Sequence, residues 1–326
     1  MASEDRKVMC VTGASGFIGS WIVYFLLRRG YAVRATVKDI QDEKETKHLE
    51  SMEGADESRL RLFQIDLLDY DSIVAAVAGA SGVIHVASPC TIDFSRDPER
   101  ELLNPAREGT VNVLKAAKEN GIRRVVITSS ISAMTPRVSG LPEAVGDENC
   151  WSDEDYCRSK ELWYPLSKTI AEKAAWKFAK EEGLDIVVVN PGIVLGPMIP
   201  PSVNASMLVT LFVIQGKIPD VPVDHFMGFV HVKDVALAHI LLYENPSAAG
   251  RYLCVEAATH YNDFAAKMAE LYPEYKMPRV SDDCLPKVSN MKEASKKLID
   301  LGMKFASLDH IVQDCVQSLR TKGCLS

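Results

Sequence analysis

Basic charge is in short supply in this sequence, as are aromatic side chains and any ordered pattern of cysteine or histidine. Its 37 lysines and arginines are outnumbered by 44 aspartates and glutamates, giving a net charge of -7. A nucleic-acid partner is therefore not expected, because phosphate backbones are held by basic surfaces. The 8 cysteines are scattered, several in strand-like contexts such as Cys10 and Cys254. That usage fits buried thiols in a reducing compartment and not a disulfide framework. Cys150 and Cys157 lie seven apart in a loop, a spacing that matches no common zinc pattern, and the 7 histidines show no ligand spacing, so no metal is expected. The polar start Met1 to Lys7 has no secretory character, and the cysteine third from the end, Cys324, makes no prenylation box. A cytoplasmic protein without a membrane partner is the expectation. The one long uncharged run, residues 8 to 27, carries Gly13, Gly16 and Gly19 and ends in Arg28-Arg29-Gly30, which reads against a membrane span.

What is present is alternation. Strand-like apolar runs at 7–12, 31–37, 60–64, 82–87, 123–128 and 185–190 alternate with helical patterns. This predicts an α/β fold, a Rossmann-type doubly wound parallel sheet. Past Asn190-Pro191-Gly192 prolines crowd the chain, with one good helical run near Ser206 to Gln215. A second, amphipathic helix over roughly Val232 to Tyr243 is expected to pack back on the main sheet. The expected division is therefore a dinucleotide-binding domain over 1–190, with 228–245 returning to it, and a smaller, partly interleaved substrate lobe over 191–326.

The first strand runs through Gly13-Ala14-Ser15-Gly16-Phe17-Ile18-Gly19 into a helix. Such a turn holds a pyrophosphate: Gly13 permits the tight turn, Gly16 lets backbone N–H groups approach, and Gly19 lets helix and strand pack closely. Ser15, Phe17 and Ile18 complete the cradle. Around the end of the second strand stand Arg34, Lys38 and, further on, Lys44, where a carboxylate would favour NAD and a cation the 2′-phosphate of NADP. NADP(H) is the expected cofactor, with Asp66 and Leu67 beside its adenine.

Tyr164 and Lys168 are four apart, on one face of a helix. A free phenol has a pKa of about 10, and a neighbouring ammonium stabilises its phenolate, which suits a proton donor. The same spacing recurs at Tyr272 and Lys276, but with Pro273 inside it and no strand-end serine upstream. Ser129 and Ser130, after the fifth strand, are both candidates to hold a substrate carbonyl, and the other serine would cap the next segment. Pro165 predicts that the regular helix begins there with Tyr164 as its cap, still facing Lys168.

Together these residues resemble the extended short-chain dehydrogenase/reductases. Val11 to Trp21, Val33 to Asp39, Cys150-Trp151-Ser152-Asp153 and His231 to Ala236 resemble the plant dihydroflavonol reductase and cinnamoyl-CoA reductase group in particular. The resemblance implies that Ser130 polarises the carbonyl, Tyr164 donates the proton, and Lys168 tunes Tyr164 and bonds the ribose. It further implies that Val86, Ala87 and Ser88 line the cofactor path and that Pro191, Gly192, Ile193 and Val194 lie by the nicotinamide. Cinnamoyl-CoA reductases carry Asn-Trp-Tyr-Cys-Tyr-Gly-Lys around the tyrosine, whereas this chain has Leu162-Trp163-Tyr164-Pro165-Leu166-Ser167-Lys168. Val209 and Phe212 stand where that group has its CoA-binding His-x-x-Lys, although Arg251 matches. Ala133 and Met134 replace the asparagine of dihydroflavonol reductases. The Leu-Trp-Tyr-x-Leu-Ser-Lys form is similar to the reductase-like short-chain cinnamyl alcohol dehydrogenases. The implied activity is NADPH-dependent, reversible reduction of phenylpropenyl or other aromatic aldehydes by a monomer or weak dimer. Met134, Pro165, Met198, Phe226 and Met227 are the expected apolar lining. Cinnamoyl-CoA or dihydroflavonol-type reduction, or a non-catalytic NADP-binding regulator, are the alternatives.

Overall fold

Strands form where the chain is apolar on both faces: Gly82–His85 is buried throughout, and Val8–Thr12 and Arg124–Thr128 are buried along four of their five residues. The computed structural model describes residues 7–89, 97–135, 148–216, 227–259, 261–275 and 295–325. In chain order its main elements are β1 (Val8–Thr12), α1 (Phe17–Arg28), β2 (Ala32–Val37), α2 (Glu43–Glu50), β3 (Leu60–Gln64), α3 (Tyr70–Val77), β4 (Gly82–His85), α4 (Asn104–Glu119) and β5 (Arg124–Thr128). They continue with α5 (Glu154–Ser159), α6 (Trp163–Glu182), β6 (Asp185–Pro191), β7 (Ile193–Leu195), α7 (Ala205–Ile214), β8 (Met227–His231) and α8 (Val232–Glu244). The last are β9 (Gly250–Cys254), β10 (Ala257–Thr259), α9 (Tyr261–Leu271), α10 (Lys296–Asp300) and α11 (Leu308–Thr321).

Seven strands form one sheet in the order β3-β2-β1-β4-β5-β6-β9, each neighbouring pair parallel. The chain works outward from β1 to β3 and then returns to β4. The order thus reverses between β1 and β4, whose ends meet at the pair Thr12 and His85, and a ligand crevice opens beyond such a switch point. Residues alternate between two cores, as a period of two requires. Met9, Val11, Val126, Val187 and Val189 face α1 and α8; Cys10, Val125, Ile127, Ile186 and Val188 face α3, α4 and α6. A smaller sheet has β8 parallel to β7 and antiparallel to β10. Phe229 of β8 stacks on Phe264 of α9 with ring centroids 4.4 Å apart.

The expected strands are present, with three differences from the sequence reading. β4 stops at His85, short of residue 87; beyond it the Val86 N–H is shared between the Thr12 carbonyl at 3.3 Å and Thr12 Oγ1, and the Ala87 N–H turns to Thr12 Oγ1. β9 joins the main sheet beside β6 although it follows the substrate-side elements in sequence. α8 packs on α1 and against β5 and β6, and it is buried almost all round instead of amphipathic, Asp234 and His239 included. Asp234 accepts the Ala306 N–H at 2.8 Å. His239 lies 2.7 Å from both Val235 O and Thr128 Oγ1, and burial pushes its pKa down to about 4. Among the described residues no helix is long and apolar enough to cross a membrane, and all six described cysteines are free thiols.

Candidate active site

The turn between β1 and α1 is shaped by two glycines. Gly13 has φ 66°, and a Cβ there would lie 2.9 Å from the backbone of Ala87. A Cβ on Gly19 would lie 2.1 Å from the Gly13 carbonyl oxygen, an overlap no side chain tolerates. Gly16 is less demanding, since its Cβ would stand 3.3 Å from that same oxygen. It forms the N-cap of α1, with no side-chain cap and no acidic residue in the first turn. The N–H groups at the head of α1 are thus left for an anion. Ser15 and Ile18 are partly exposed at the turn, whereas Phe17 is buried in the core.

Thr12 Oγ1 anchors the opposite wall. Because it accepts from Val86 N and Ala87 N, both at 3.1 Å, its own proton points to His85 Nδ1, 2.7 Å away. His85 Nε2 then carries the ring proton, directed at Thr110 Oγ1 at 3.4 Å. Burial, aided by the charge of Lys168, pushes the His85 pKa down to about 3, so the ring is neutral. Val86, Ala87 and Ser88 leave β4 beside Gly13, half-buried.

At the adenosine end, Arg34 departs from the expected role. Its guanidinium donates to the carbonyls of Ala75 and Ala76, both at 2.7 Å, and lies 4.1 Å from the centre of the Phe63 ring. The reason is position: Arg34 pairs with Cys10 and Arg61 in mid-strand, about 10 Å short of the end of β2 at ~3.3 Å per residue, and serves the C-terminal carbonyls of α3. Lys38 and Lys44 are exposed near that end. Between them the Glu45 carboxylate accepts the Lys38 N–H at 2.7 Å and the Ser15 hydroxyl at 3.3 Å. Asp66, exposed past β3, accepts the Leu68 N–H at 2.9 Å, and Leu67 packs beneath Gly109.

Tyr164 and Lys168 stand on α6, and Lys168 lines a pocket with Ser129, the first of the two serines after β5. α6 begins at Trp163 with Leu162 as cap, two residues before the expected start at Pro165. Pro165 is tolerated because the first-turn N–H groups have no helical partner to lose. Leu166 N donates to Leu162 O at 3.1 Å, so the helix is already formed when it passes Tyr164. Lys168 Nζ lies 5.6 Å from the centre of the Tyr164 ring, and the lysine is only 8 % exposed. Ser129 and Ser130 are equally buried but differently bonded. Ser129 Oγ donates to Glu172 Oε2 at 2.6 Å, whereas Ser130 Oγ accepts from Ser132 N at 3.1 Å. Capping therefore falls to Ser130, the serine singled out for chemistry, and the bond leaves its hydroxyl proton available.

Behind them lies a cluster that sequence reading did not identify. Glu172 also accepts from Asn190 Nδ2 at 2.9 Å, Trp176 Nε1 at 3.2 Å and Arg251 Nε at 2.5 Å. Asn190 Nδ2 reaches the Ser130 carbonyl at 3.1 Å as well. Arg251 is 6 % exposed, donates to the carbonyls of Glu148 and Cys150, and stacks 4.0 Å from the centre of the Trp151 ring. A small pocket, with His85, Thr110, Ser129, Lys168 and Glu172 in its lining, lies between this cluster and β4. Glu172 had a legible signal, lying four residues past Lys168 on the same helix face. His85 had a weaker one, as a lone titratable residue in an apolar strand.

The remaining expected residues divide. Pro191 and Val194 are buried and Gly192 and Ile193 half-buried at the end of β6 and in β7. Met134 and Met198 are core instead of lining: Met134 packs fully buried with Ile131, Leu253 and Val255, and Met198 joins the main core. Pro165 is half-buried. Phe226 lies outside the described residues, as do Lys276 and the Met227 side chain. The structure also brings together His231, His310 and Asp314, whose side-chain N and O atoms fall within 4.8 Å of one another; His310 and Asp314 are four apart on α11, and His231 comes from the end of β8. His231 Nδ1 accepts the Lys233 N–H at 3.2 Å, which puts the ring proton on Nε2, facing Asp314 Oδ2 at 3.2 Å.

The chain matches the model of the NAD dependent epimerase/dehydratase family over residues 9–257. It is 47% identical to cinnamoyl-CoA reductase 1 of Petunia hybrida, covering 100% of this chain and 96% of that protein. Vestitone reductase from alfalfa superposes with a TM-score of 0.83 at 32% identity, over 98% of this chain and 100% of that one. The yeast methylglyoxal/isovaleraldehyde reductase complexed with NADPH superposes with a TM-score of 0.82 at 26% identity, over the same shares. The chain belongs to the NAD dependent epimerase/dehydratase family, in the group of plant reductases that includes the cinnamoyl-CoA reductases.

Proposed function

We propose that this family member is an NADPH-dependent reductase of phenylpropenyl and other aromatic aldehydes, reversible as an alcohol dehydrogenase. Residues 1–190 with 228–245 serve the cofactor, and 191–326 the substrate. The observation that carries the reaction type is the buried Lys168 ammonium 5.6 Å from the Tyr164 ring, with Lys168 and Ser129 lining one pocket and Ser130 next in the chain.

The residues fit the cofactor. The space denied to a Cβ at Gly13 and Gly19 brings the bare N-terminus of α1 to the crevice, where a pyrophosphate would bind. Val86 to Ser88 and Pro191 to Val194 would flank the ribose and nicotinamide. NADPH, when bound, supplies the hydride. Ser130 donates its hydroxyl proton to the substrate carbonyl, which holds the carbonyl carbon in place and polarises it. Tyr164 gives its phenolic proton to the oxygen as negative charge develops there. Lys168 stabilises the resulting phenolate by its charge. Glu172 and Asn190 act as positioning residues: Glu172 holds the Ser129 hydroxyl, and Asn190 holds the Ser130 carbonyl and Glu172 itself.

Free aldehyde is favoured over the CoA thioester by the state of Arg251. That cation is spent on Glu172 and two carbonyls, and Phe212 is uncharged where the group's CoA-binding lysine stands. The thioester remains the second reading, because the petunia relative is a cinnamoyl-CoA reductase. Loss of NADPH absorbance with coniferaldehyde and with feruloyl-CoA at matched concentrations tests the choice. Faster turnover of the aldehyde is expected. Preference for feruloyl-CoA would overturn the aldehyde reading and leave the reductase assignment standing.

A further inference from the structure

The Glu45 carboxylate sits on a converging set of donors at the carboxyl end of β2. One oxygen, Oε2, accepts the Lys38 N–H at 2.7 Å, the Asp39 N–H at 3.5 Å and the Ser15 hydroxyl at 3.3 Å. Two donors are successive backbone groups of the strand end, and the third comes from the glycine turn. Consecutive N–H groups aimed at one point make an anion site, and a charged acceptor strengthens each bond. Glu45 reaches it because Asp42 caps α2, accepting the Lys44 N–H at 2.9 Å, and turns the first turn of that helix back over the strand.

In a doubly wound sheet this location receives the adenosine ribose, where an acid bonds the 2′-hydroxyl of NAD and cations take the 2′-phosphate of NADP. Here both kinds of group are present: exposed Lys38 and Lys44, and a carboxylate already on the backbone donors. A phosphate dianion and Glu45 cannot use the same donors, and like charges at that range repel.

We infer that Glu45 is an internal anion in the 2′-phosphate subsite, displaced when NADP(H) binds and kept as the ribose 2′-hydroxyl acceptor when NAD(H) binds. One side chain thereby narrows the preference for NADP(H) over NAD(H). Glu45 is only half-buried, so its release to solvent needs a rotamer change and no movement of α2. The inference rests on the NADP(H) reading above.

Calorimetric titration of the full chain with 2′,5′-ADP and with 5′-ADP tests it without catalysis. Glu45→Gln and Glu45→Ala are both expected to bind 2′,5′-ADP roughly tenfold more tightly than the parent chain, as removal of one opposed charge implies, with 5′-ADP unchanged or weaker. Thermal melts matched to the parent show that both variants fold. If neither variant tightens 2′,5′-ADP while the parent prefers it to 5′-ADP, the inference is overturned. If the parent prefers 5′-ADP, the NADP(H) reading fails, and the inference with it.

Discussion

Ser129 Oγ donates its proton to Glu172 Oε2 at 2.6 Å, while among the described residues Ser130, the next in the chain, uses its oxygen as an acceptor for Ser132 N. Two adjacent hydroxyls are thus assigned opposite duties by what faces them. Ser130→Ala is expected to lower kcat by about 10²–10⁴-fold, the range for loss of one oxyanion donor or proton-transfer partner. Ser129→Ala should leave Glu172 short of one donor and cost about 1–3 kcal/mol of stability, with far less effect on kcat. Steady-state kinetics and urea unfolding of the two variants separate these effects. Equal kcat losses would return the carbonyl-holding role to both.

Tyr164→Phe removes the proposed proton donor without disturbing the first turn of α6. Turnover should fall by roughly 10²–10⁴-fold while NADPH affinity, read by fluorescence titration, changes little.

Glu172 and Arg251 are a buried ion pair, 1% and 7% exposed in their side chains. Glu172→Ala strands the guanidinium, and a loss of about 3–5 kcal/mol is expected on urea unfolding. Glu172→Gln keeps acceptor and shape and should recover part of that loss. A neutral result for Glu172→Ala would mean that Arg251 finds another partner.

Arg34→Ala should leave the dissociation constant for NADPH unchanged, because the guanidinium serves the carbonyls of Ala75 and Ala76. Lys38→Ala should weaken NADPH severalfold and NADH little. Fluorescence titration of both variants with both nucleotides decides between them.

Acid should destabilise the fold through its buried histidines. Burial holds His85 at about 3 and His239 at about 4, below the ordinary 6.5. Between those values and 6.5 the unfolded chain takes up protons that the folded chain refuses, so stability is full above pH 6.5 and falls as pH is lowered. Each histidine contributes a slope of about 1.4 kcal/mol per pH unit. His239→Gln, which can keep an acceptor for Thr128, should show a shallower slope by that amount in urea unfolding across this window. An unchanged slope would place the titration elsewhere.

The fold was legible because parallel strands covered on both faces are continuous apolar runs, and Val83-Ile84 or Val125-Val126-Ile127 can hardly be anything else. The glycine turn was legible for a similar reason: only glycine fits where the Cβ of residue 19 would overlap the Gly13 carbonyl. Tyr164 and Lys168 follow from helix periodicity. The run ending at Cys254 reads as strand-like, but the place of β9 in the main sheet was hidden because the edge it joins is supplied by β6, far away in sequence. Met134 and Met198 were misplaced because an apolar side chain reads the same whether it lines a pocket or fills a core.

The local backbone chemistry, then, belongs to the sequence: the order of strands and helices, the glycine turn, the spacing of Tyr164 and Lys168, and the two serines after β5. Their division of labour does not. Whether Ser129 or Ser130 keeps a free proton depends on Glu172, 43 residues away. Whether Arg251 is available to a ligand depends on the same carboxylate, 79 residues from it. That Arg34 turns to α3, and that Glu45 reaches the end of β2, are likewise settled by which donors and acceptors the packed chain brings within about 3 Å. Hydrogen bonds and ion pairs of that range depend on distance in space, and only the tertiary structure sets it.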